Sequence, residues 1–412
     1  MTQTPVSVVV VSRDRPAALL RCLTGLSQVQ YAPFEIIVVA DAAGCAAVSD
    51  LSFASQIKIV AFDTPNISMA RNLGVSHAAG DVIAFIDDDA VPEPSWLMYL
   101  IAPFERAEVS ASGGFVRGRN GISFQWMARS VDEMGATAPM DVNLTQATVL
   151  KPKNRMAVKT EGTNMAVRRN VLLEVEGFDP AFAFYLDETD LNLRLARAGR
   201  ATAIVPMAQV HHGFAPSARR RSDRVPSDLF DIGASWAVFQ RKYVGQAQRP
   251  DHWRDIRATE RKRLIEHMVA GRLLPDNVFR LLRRLDQGYA EGKLRLRGGA
   301  QILSTPVAPF KPFSVVGRKS SIISGRIWQR AGLRAEAAER AKAGDIVTLV
   351  LLSPTTLYHH VRFDIAGFWE QRGGIFGRSD RSDRLFKAYS FGARVKREVR
   401  RVRKQRLVAD EK

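Results

Sequence analysis

Apolar positions change texture along this chain. Up to residue 212 they form short runs, at 6–12, 35–40, 57–61 and 82–86, separated by amphipathic stretches at 15–26 and 66–79. Short β-branched runs predict strands, and helical spacing between them predicts helices. Their alternation predicts an α/β sheet whose ligands sit at the carboxyl ends of the strands. Beyond 212 the pattern lengthens and predicts helices at 226–243, 254–270 and 275–290. A Gly- and Arg-rich interval at 292–320, one strand-like run at 345–353 and a basic tail with helical spacing follow. No internal repeat of fixed period is present.

Composition changes this picture little. With 412 residues, 46% hydrophobic and 25% charged, the chain reads as a globular protein of two or three domains. Its two cysteines, Cys22 and Cys45, make no metal-binding spacing, which points to a reducing compartment and a cytoplasmic location. The N-terminal apolar run is too short for a secretory leader and reads as a strand. No stretch approaches the roughly 18 apolar residues of a membrane span, so a soluble or peripheral protein is expected.

Charge is more informative, because it is uneven. Residues 1–212 hold 18 Lys and Arg against 22 Asp and Glu, a net of −4, and residues 213–412 hold 42 against 20, a net of +22. The first half suits a metal site; the second suits an anionic lipid surface or a phosphate-bearing substrate. The basic half has no nucleic-acid-binding motif and no aromatic residues interleaved as a stacking platform, so no nucleic-acid partner is expected. A Walker loop and a dinucleotide-binding glycine fingerprint in the right context are both missing, which removes support for nucleoside triphosphatase and dinucleotide oxidoreductase readings.

The densest chemistry lies in AFIDDDAVPEP, residues 84–94. Alternation along a strand points Asp87 and Asp89 one way and Asp88 the other. Two converging carboxylates stay ionised only with a cation or donors between them. A hard divalent ion, Mn²⁺ or Mg²⁺, completed by phosphate oxygens satisfies that demand. The competing reading is an exposed acidic loop capping the next helix.

The surrounding stretch, NISMARNLGVSHAAGDVIAFIDDDAVPEPSWL (66–97), resembles family 2 glycosyltransferases of the GT-A fold. VSVVVVSRDRPAALLRCLTGL (6–26) is similar to that family's first strand and helix, and FEIIVVADAA (34–43) to its second strand with an acid at the tip. EGTNMAVRRNVLLEVEGFDPAFAFYLDETDLNLRLARAGRATAIVPMAQVHH (161–212) resembles its acceptor-side segment. These four blocks cover about half the chain; a rhamnosyltransferase-like branch is one placement among others. The resemblance implies a GT-A mixed sheet flanked by helices, carrying here a basic, mainly helical C-terminal extension.

It also implies roles. Asp41 matches the acid that receives the uracil or thymine imide N–H, with a helix or turn cap as the alternative. Ser12 and Arg13 would line the same base pocket, although Arg13 also reads as a surface charge. Arg71 would sit near the nucleotide. Asn66 reads as the cap of the following helix in either case. Asp87 and Asp88 would contact the ribose or the metal, and Asp89 would be the direct metal ligand. On the acceptor side the usual Glu-Asp is inverted to Asp187-Glu188. Position makes Glu188 the base and leaves Asp187 as second choice; Asp190, paired with Arg194 one turn on, reads as structural. Of the two late histidines the spacing selects His212 over His211 as the residue closing the metal shell. Arg219 and Arg220 would neutralise a diphosphate or belong to a solvated linker, and Asn164 is a further candidate sugar contact.

The expected organisation is a catalytic domain at 1–215, a helical extension at 216–300 and a basic region at 301–412. The expected reaction is inverting, metal-dependent sugar transfer from a UDP- or dTDP-sugar to a hydroxyl of a glycan, lipid-linked or cell-surface polysaccharide acceptor. Rivals are a non-catalytic scaffold and a sugar nucleotidyltransferase. Phe391, Val395, Val399 and Val402 lie at helical spacing in the basic tail, which predicts either a helix on an anionic membrane, a solvated helix or one packed on a partner.

Overall fold

The computed structural model describes residues 3–153, 155–213, 215–298, 302 and 304–409. Strands β1 (Val6–Ser12), β2 (Phe34–Ala40), β3 (Ile57–Ala61) and β4 (Val82–Asp87) alternate with helices α1 (Pro16–Leu26), α2 (Ala42–Ser49) and α3 (Ile67–His77). The local signals explain the boundaries. Pro16 opens α1, and the Asn66 side chain accepts from the Met69 N–H at 3.0 Å to cap α3. β1 pairs in parallel with β2 and β4, and β2 with β3. Every residue of β2 is buried, as expected of a parallel strand covered on both faces.

The chain then forms β5 (Ala90–Pro92), α4 (Trp96–Ile101), β6 (Val109–Arg117), β7 (Phe124–Trp126), β8 (Arg129–Val131), β9 (Thr137–Pro139), β10 (Thr148–Leu150) and β11 (Ala157–Lys159). β12 (Met165–Arg168), α5 (Arg169–Glu174), α6 (Asp187–Arg197) and β13 (Ala201–His212) follow. β12 lies antiparallel between β4 and β6, and β13 runs parallel to β6, giving the order β10-β13-β6-β12-β4-β1-β2-β3. The mixed sheet flanked by helices is therefore borne out. Leu19, Leu23, Trp96 and Leu100 fill one face, and Val75, Phe178 and Leu191 the other. Register aligns Ser12 with Ala40 and Val11 with Asp87, so the ends of β1, β2 and β4 meet at one edge.

Three helices come next, α7 (Phe230–Tyr243), α8 (Arg249–Val269) and α9 (Pro275–Gly292). Gly288 lets α9 approach the backbone of α7 closely, because a Cβ there would overlap the Phe230 carbonyl. α7 braces the loop ahead of α6: Ser235 Oγ donates to the Phe184 carbonyl at 2.6 Å, and Lys242 pairs with Asp179 at 2.7 Å and Asp190 at 2.6 Å.

The region beyond 300 departs from the expectation. The expected 300/301 boundary lies outside the described residues. Its first part runs back along the first half, where the Phe313 N–H donates to the Phe34 carbonyl at 2.7 Å and the two rings lie 5.3 Å apart. It then builds a second sheet from β14 (Ser320–Arg326), β15 (Ile346–Ser353), β16 (His360–Phe363) and β17 (Phe368–Gly374), in the order β14-β15-β17-β16, with α10 (Arg330–Lys342) packed on it. The extension is helical in α7 to α9 and again in α10 and α11, and the single strand expected here is one of four. The final helix, α11 (Phe391–Val402), turns Phe391 and Val395 onto Val350, Leu352 and Ile375. These two of the four stripe residues are covered by the chain's own sheet.

The two sheets are joined by a buried ion pair. Arg406, 0% exposed, donates to Glu93 at 3.0 Å and lies over the Trp369 ring at 4.4 Å. Glu93 in turn holds His211 Nε2 at 2.7 Å.

Candidate active site

The strand-end edge gathers three potential ligands. Asp87, Asp89 and His212 each offer one donor atom, and these atoms all lie within 4.8 Å of one another. His212 Nε2 is 3.2 Å from Asp89 Oδ1. Burial opposes ionisation of Asp89, yet the His212 contact, Arg15 and the Ala215 N–H at 2.8 Å hold its pKa well below the ordinary carboxylate range. Two carboxylates and an imidazole fit a hard or borderline divalent ion such as Mn²⁺ or Mg²⁺. His211, next in the chain, instead faces Glu93 and Trp369.

Asp88 does not join that group. It is fully buried, accepts from Ser12 Oγ at 2.6 Å and pairs with Arg15 at 2.5 Å. Burial pushes its carboxyl up to about 7 against the pull of Arg15 and Ser12. The ribose or metal contact expected of Asp88, and the base contact expected of Ser12, are therefore replaced by an inward bond between the two. Asn164 is corrected in the same way. Its Oδ1 accepts from Trp96 Nε1 at 2.8 Å and its Nδ2 donates to the Phe115 and Ala208 carbonyls at 3.0 and 2.9 Å, so it fastens the sheet to α4.

Other expected residues are placed less uniformly. Asp41 caps α2 through the Gly44 N–H at 2.7 Å and takes the Asp14 N–H at 2.6 Å on its other oxygen. Each oxygen keeps a further lone pair, so capping and base recognition are compatible. Arg13 lies at the surface with Asp63. Arg219 pairs with Asp231 on α7, which ties it to the helical extension rather than to the strand ends. Arg220 feels the Asp89 and Arg15 charges and reaches the same edge as His212.

Arg71 connects the two acid groups. Buried on α3, it contacts Asp187 through Nη1 and Asp87 through Nη2 at 3.3 Å. A Cβ at position 162 would collide with this guanidinium, which accounts for Gly162. Two successive non-glycine residues in the left-handed region, Tyr185 at φ 73° and Leu186 at φ 64°, deliver the first turn of α6 to this place. Each costs of order 1 kcal/mol and persists only because its surroundings hold it.

The acceptor-side acids then divide. The Asp187 side chain is 4% exposed and held by Arg71; burial raises it to about 7, and the neighbouring Glu188 adds to the rise. The Glu188 side chain is 19% exposed and lies 3.6 Å from Lys159 Nζ. Burial works against its ionisation, but Lys159 and Arg71 outweigh it and lower its pKa. Asp190 accepts from Arg194 at 2.8 Å and from Tyr243 OH at 2.7 Å beneath the turn.

Sequence reasoning missed Arg15, Lys159 and Glu161. Arg15 is legible in SRDRP only as a charge, and nothing local shows that it bridges Asp88 and, at 3.3 Å, Asp89. Lys159 bonds Glu161 at 2.8 Å from a separate small sheet, β11-β8-β9, so its approach to Glu188 is a tertiary fact.

Acids and an imidazole at the carboxyl edge of a mixed sheet, linked through one arginine to a second acid pair, are the equipment of a group-transferring α/β enzyme. The chain belongs to the family described as Glycosyltransferase like family 2, whose model matches residues 4–224. It is 27% identical over 260 residues to the O-antigen biosynthesis protein RfbC of Myxococcus xanthus, covering 60% of this chain and 20% of that protein. It is likewise 27% identical over 215 residues to a pre-mycofactocin glycosyltransferase of Mycobacterium tuberculosis, covering 50% of this chain and 42% of the relative. The chain therefore spans less than half the length of either. Among solved structures it is similar to GalNAc-T7 crystallised with UDP, GalNAc and Mn²⁺, at 15% identity and a TM-score of 0.44 over 58% of this chain and 48% of that one. Among the described residues, no helix is long and apolar enough to cross a membrane.

Proposed function

We propose that the chain is an inverting glycosyltransferase that takes a sugar from a UDP- or dTDP-linked donor and places it on a hydroxyl of a glycan or lipid-linked acceptor, working on the cytoplasmic side of a membrane. The observation that carries this reading is Arg71, which ties the strand-end acids to the acid pair at the start of α6. The names of the relatives, O-antigen biosynthesis and glycosyl transfer, support a glycan or glycoconjugate acceptor.

Asp41 receives the base imide on its remaining lone pairs, and Arg220 lies on the diphosphate. Asp87, Asp89 and His212 would hold Mn²⁺ or Mg²⁺, which when bound supplies Lewis-acid stabilisation of the leaving diphosphate. Glu188, ionised at neutral pH, accepts the proton of the acceptor hydroxyl as that oxygen attacks the anomeric carbon from the face opposite the diphosphate. The new C–O bond forms as the bond to the diphosphate breaks, and the configuration inverts. Asp187 fixes Arg71 and its side chain is the less accessible of the pair, which makes it the second choice of base.

Calorimetric titration of UDP and dTDP, each with and without Mn²⁺, into the wild type and Asp89→Ala tests the donor site. Metal-dependent binding that the substitution removes is expected. Failure of a folded wild type to bind either nucleotide would count against the assignment.

A further inference from the structure

The C-terminal sheet carries a cleft of about 620 Å³ between the loop after β17 and the first turns of α11. Its walls bear Arg384, Lys387, Arg394 and Arg397 against one acid, Asp383. That acid is already committed: it pairs with Arg397 and accepts the Ser379 and Asp380 N–H groups, each at 2.9 Å. Arg394, 1% exposed, is held by Glu398 at 3.0 Å. Among the described residues, Arg384 and Lys387 have no ion-pair partner.

Aromatic surface is interleaved with this charge. Lys387 Nζ, Arg394 Cζ and Arg397 Cζ lie 5.1, 5.3 and 5.6 Å from the centre of the Tyr389 ring. Phe386 packs on Phe376 at 5.4 Å and remains 58% exposed. Asp383 and Glu398 offset Arg397 and Arg394, whereas Arg384 and Lys387 add two positive charges to the same cleft that an anion would balance, and a cation–π contact at an exposed site returns only about 0.5–1 kcal/mol. A phosphate offers these donors charge-assisted hydrogen bonds, and the volume falls in the range of small-ligand sites. The exposed Phe386 ring, beside the half-buried Tyr389, suits the flat face of a carbohydrate.

We infer that this cleft binds a phosphate-bearing saccharide, with the phosphate between Arg384 and Lys387 and a sugar ring against Phe386 and Tyr389. The site is separate from the acids at the strand ends and stands whether or not the reaction proposed above is correct.

Calorimetry on the full chain tests this with maltose 1-phosphate, maltose and inorganic phosphate as probes. The proteins are the wild type, the double variant Arg384→Ala/Lys387→Ala, Phe386→Ala and Asp89→Ala. Maltose 1-phosphate is expected to bind the wild type and Asp89→Ala equally, and the double variant about tenfold or more weakly, a loss of two charge-assisted contacts. Phe386→Ala is expected to weaken the sugar phosphate and leave inorganic phosphate unchanged. Arg384 and Lys387 are exposed, so the double variant should melt with the wild type; if it does not, Phe386→Ala decides alone. The assignment is overturned if maltose 1-phosphate fails to bind, if maltose or inorganic phosphate binds as tightly, if neither cleft variant weakens it, or if Asp89→Ala abolishes it.

Discussion

The two acid clusters, Asp87-Asp88-Asp89 and Asp187-Glu188-Asp190, look alike in sequence and are built alike in space. Each sends one carboxylate inward as a structural tie: Asp88 to Ser12 and Arg15, Asp190 to Arg194, Lys242 and Tyr243. Each leaves two for chemistry, and Arg71 joins one from each set. They differ in what surrounds the remaining pair. Asp87 and Asp89 meet an imidazole, so they suit a cation, whereas Asp187 and Glu188 meet Arg71 and Lys159, which split the pair into a held member and an ionised one. A carboxylate's role is fixed by its partners, and position within an acidic run does not reveal it.

Removing the cation site should have the largest effect. Asp89→Ala takes away a ligand and leaves His212 without its carboxylate, and a fall in kcat/KM of roughly 10³-fold or more is expected, with Mn²⁺ unable to restore it. Chelation of the wild type should reproduce the loss reversibly. A variant that keeps full metal-stimulated turnover would break the contrast between the clusters.

Glu188→Gln comes next. It preserves shape and removes the base, so kcat should fall roughly 10²- to 10³-fold while UDP or dTDP affinity stays unchanged. Because Lys159 and Arg71 lower the pKa of Glu188, the part of the acid limb of kcat that Glu188→Gln removes should lie below the ordinary glutamate value of about 4.3. If Asp187→Asn lowers kcat more than Glu188→Gln while leaving Arg71 in place, the roles of the pair are reversed.

How much of this was legible follows from the range of the interactions. β1 to β4 and their helices show in the sequence because buried parallel strands are nearly continuous apolar runs. β17 does not, because FWEQRGG hides its burial behind charge: Glu370 is 0% exposed and pairs with Arg334 on α10, Arg362 on β16 and Arg372 on its own strand. Local alternation separated Asp88 from Asp87 and Asp89, but the partners that give Asp88 its task come from β1 and the turn after it. Asn164 likewise reads as a polar residue two places after a glycine, and only the fold shows its side-chain amide enclosed. The tail helix was open for a related reason: an amphipathic stripe announces that something covers it without saying what, and for Phe391 and Val395 the cover is β15 and its neighbours.

The smallest effects sharpen the comparison at its inward members. Asp190 faces Arg194, Lys242 and Tyr243, and Asp190→Asn leaves Arg194 without its counter-charge while Lys242 retains Asp179; loss of about 3 kcal/mol of stability is expected, as for a broken buried ion pair. Asp88→Asn keeps an oxygen for Ser12 Oγ, and Arg15 retains Asp89 at 3.3 Å, so about 1 kcal/mol is expected, the ordinary value of one hydrogen bond. Chemical denaturation of both variants beside the wild type measures the difference. Nucleotide affinity of Asp88→Asn should stay near that of the wild type, because its carboxylate points away from the cation site. A loss of metal-dependent nucleotide binding in Asp88→Asn as severe as in Asp89→Ala would mean that Arg15 and Asp88 position the ligand pair, and the inward tie of this cluster would belong to the chemistry after all.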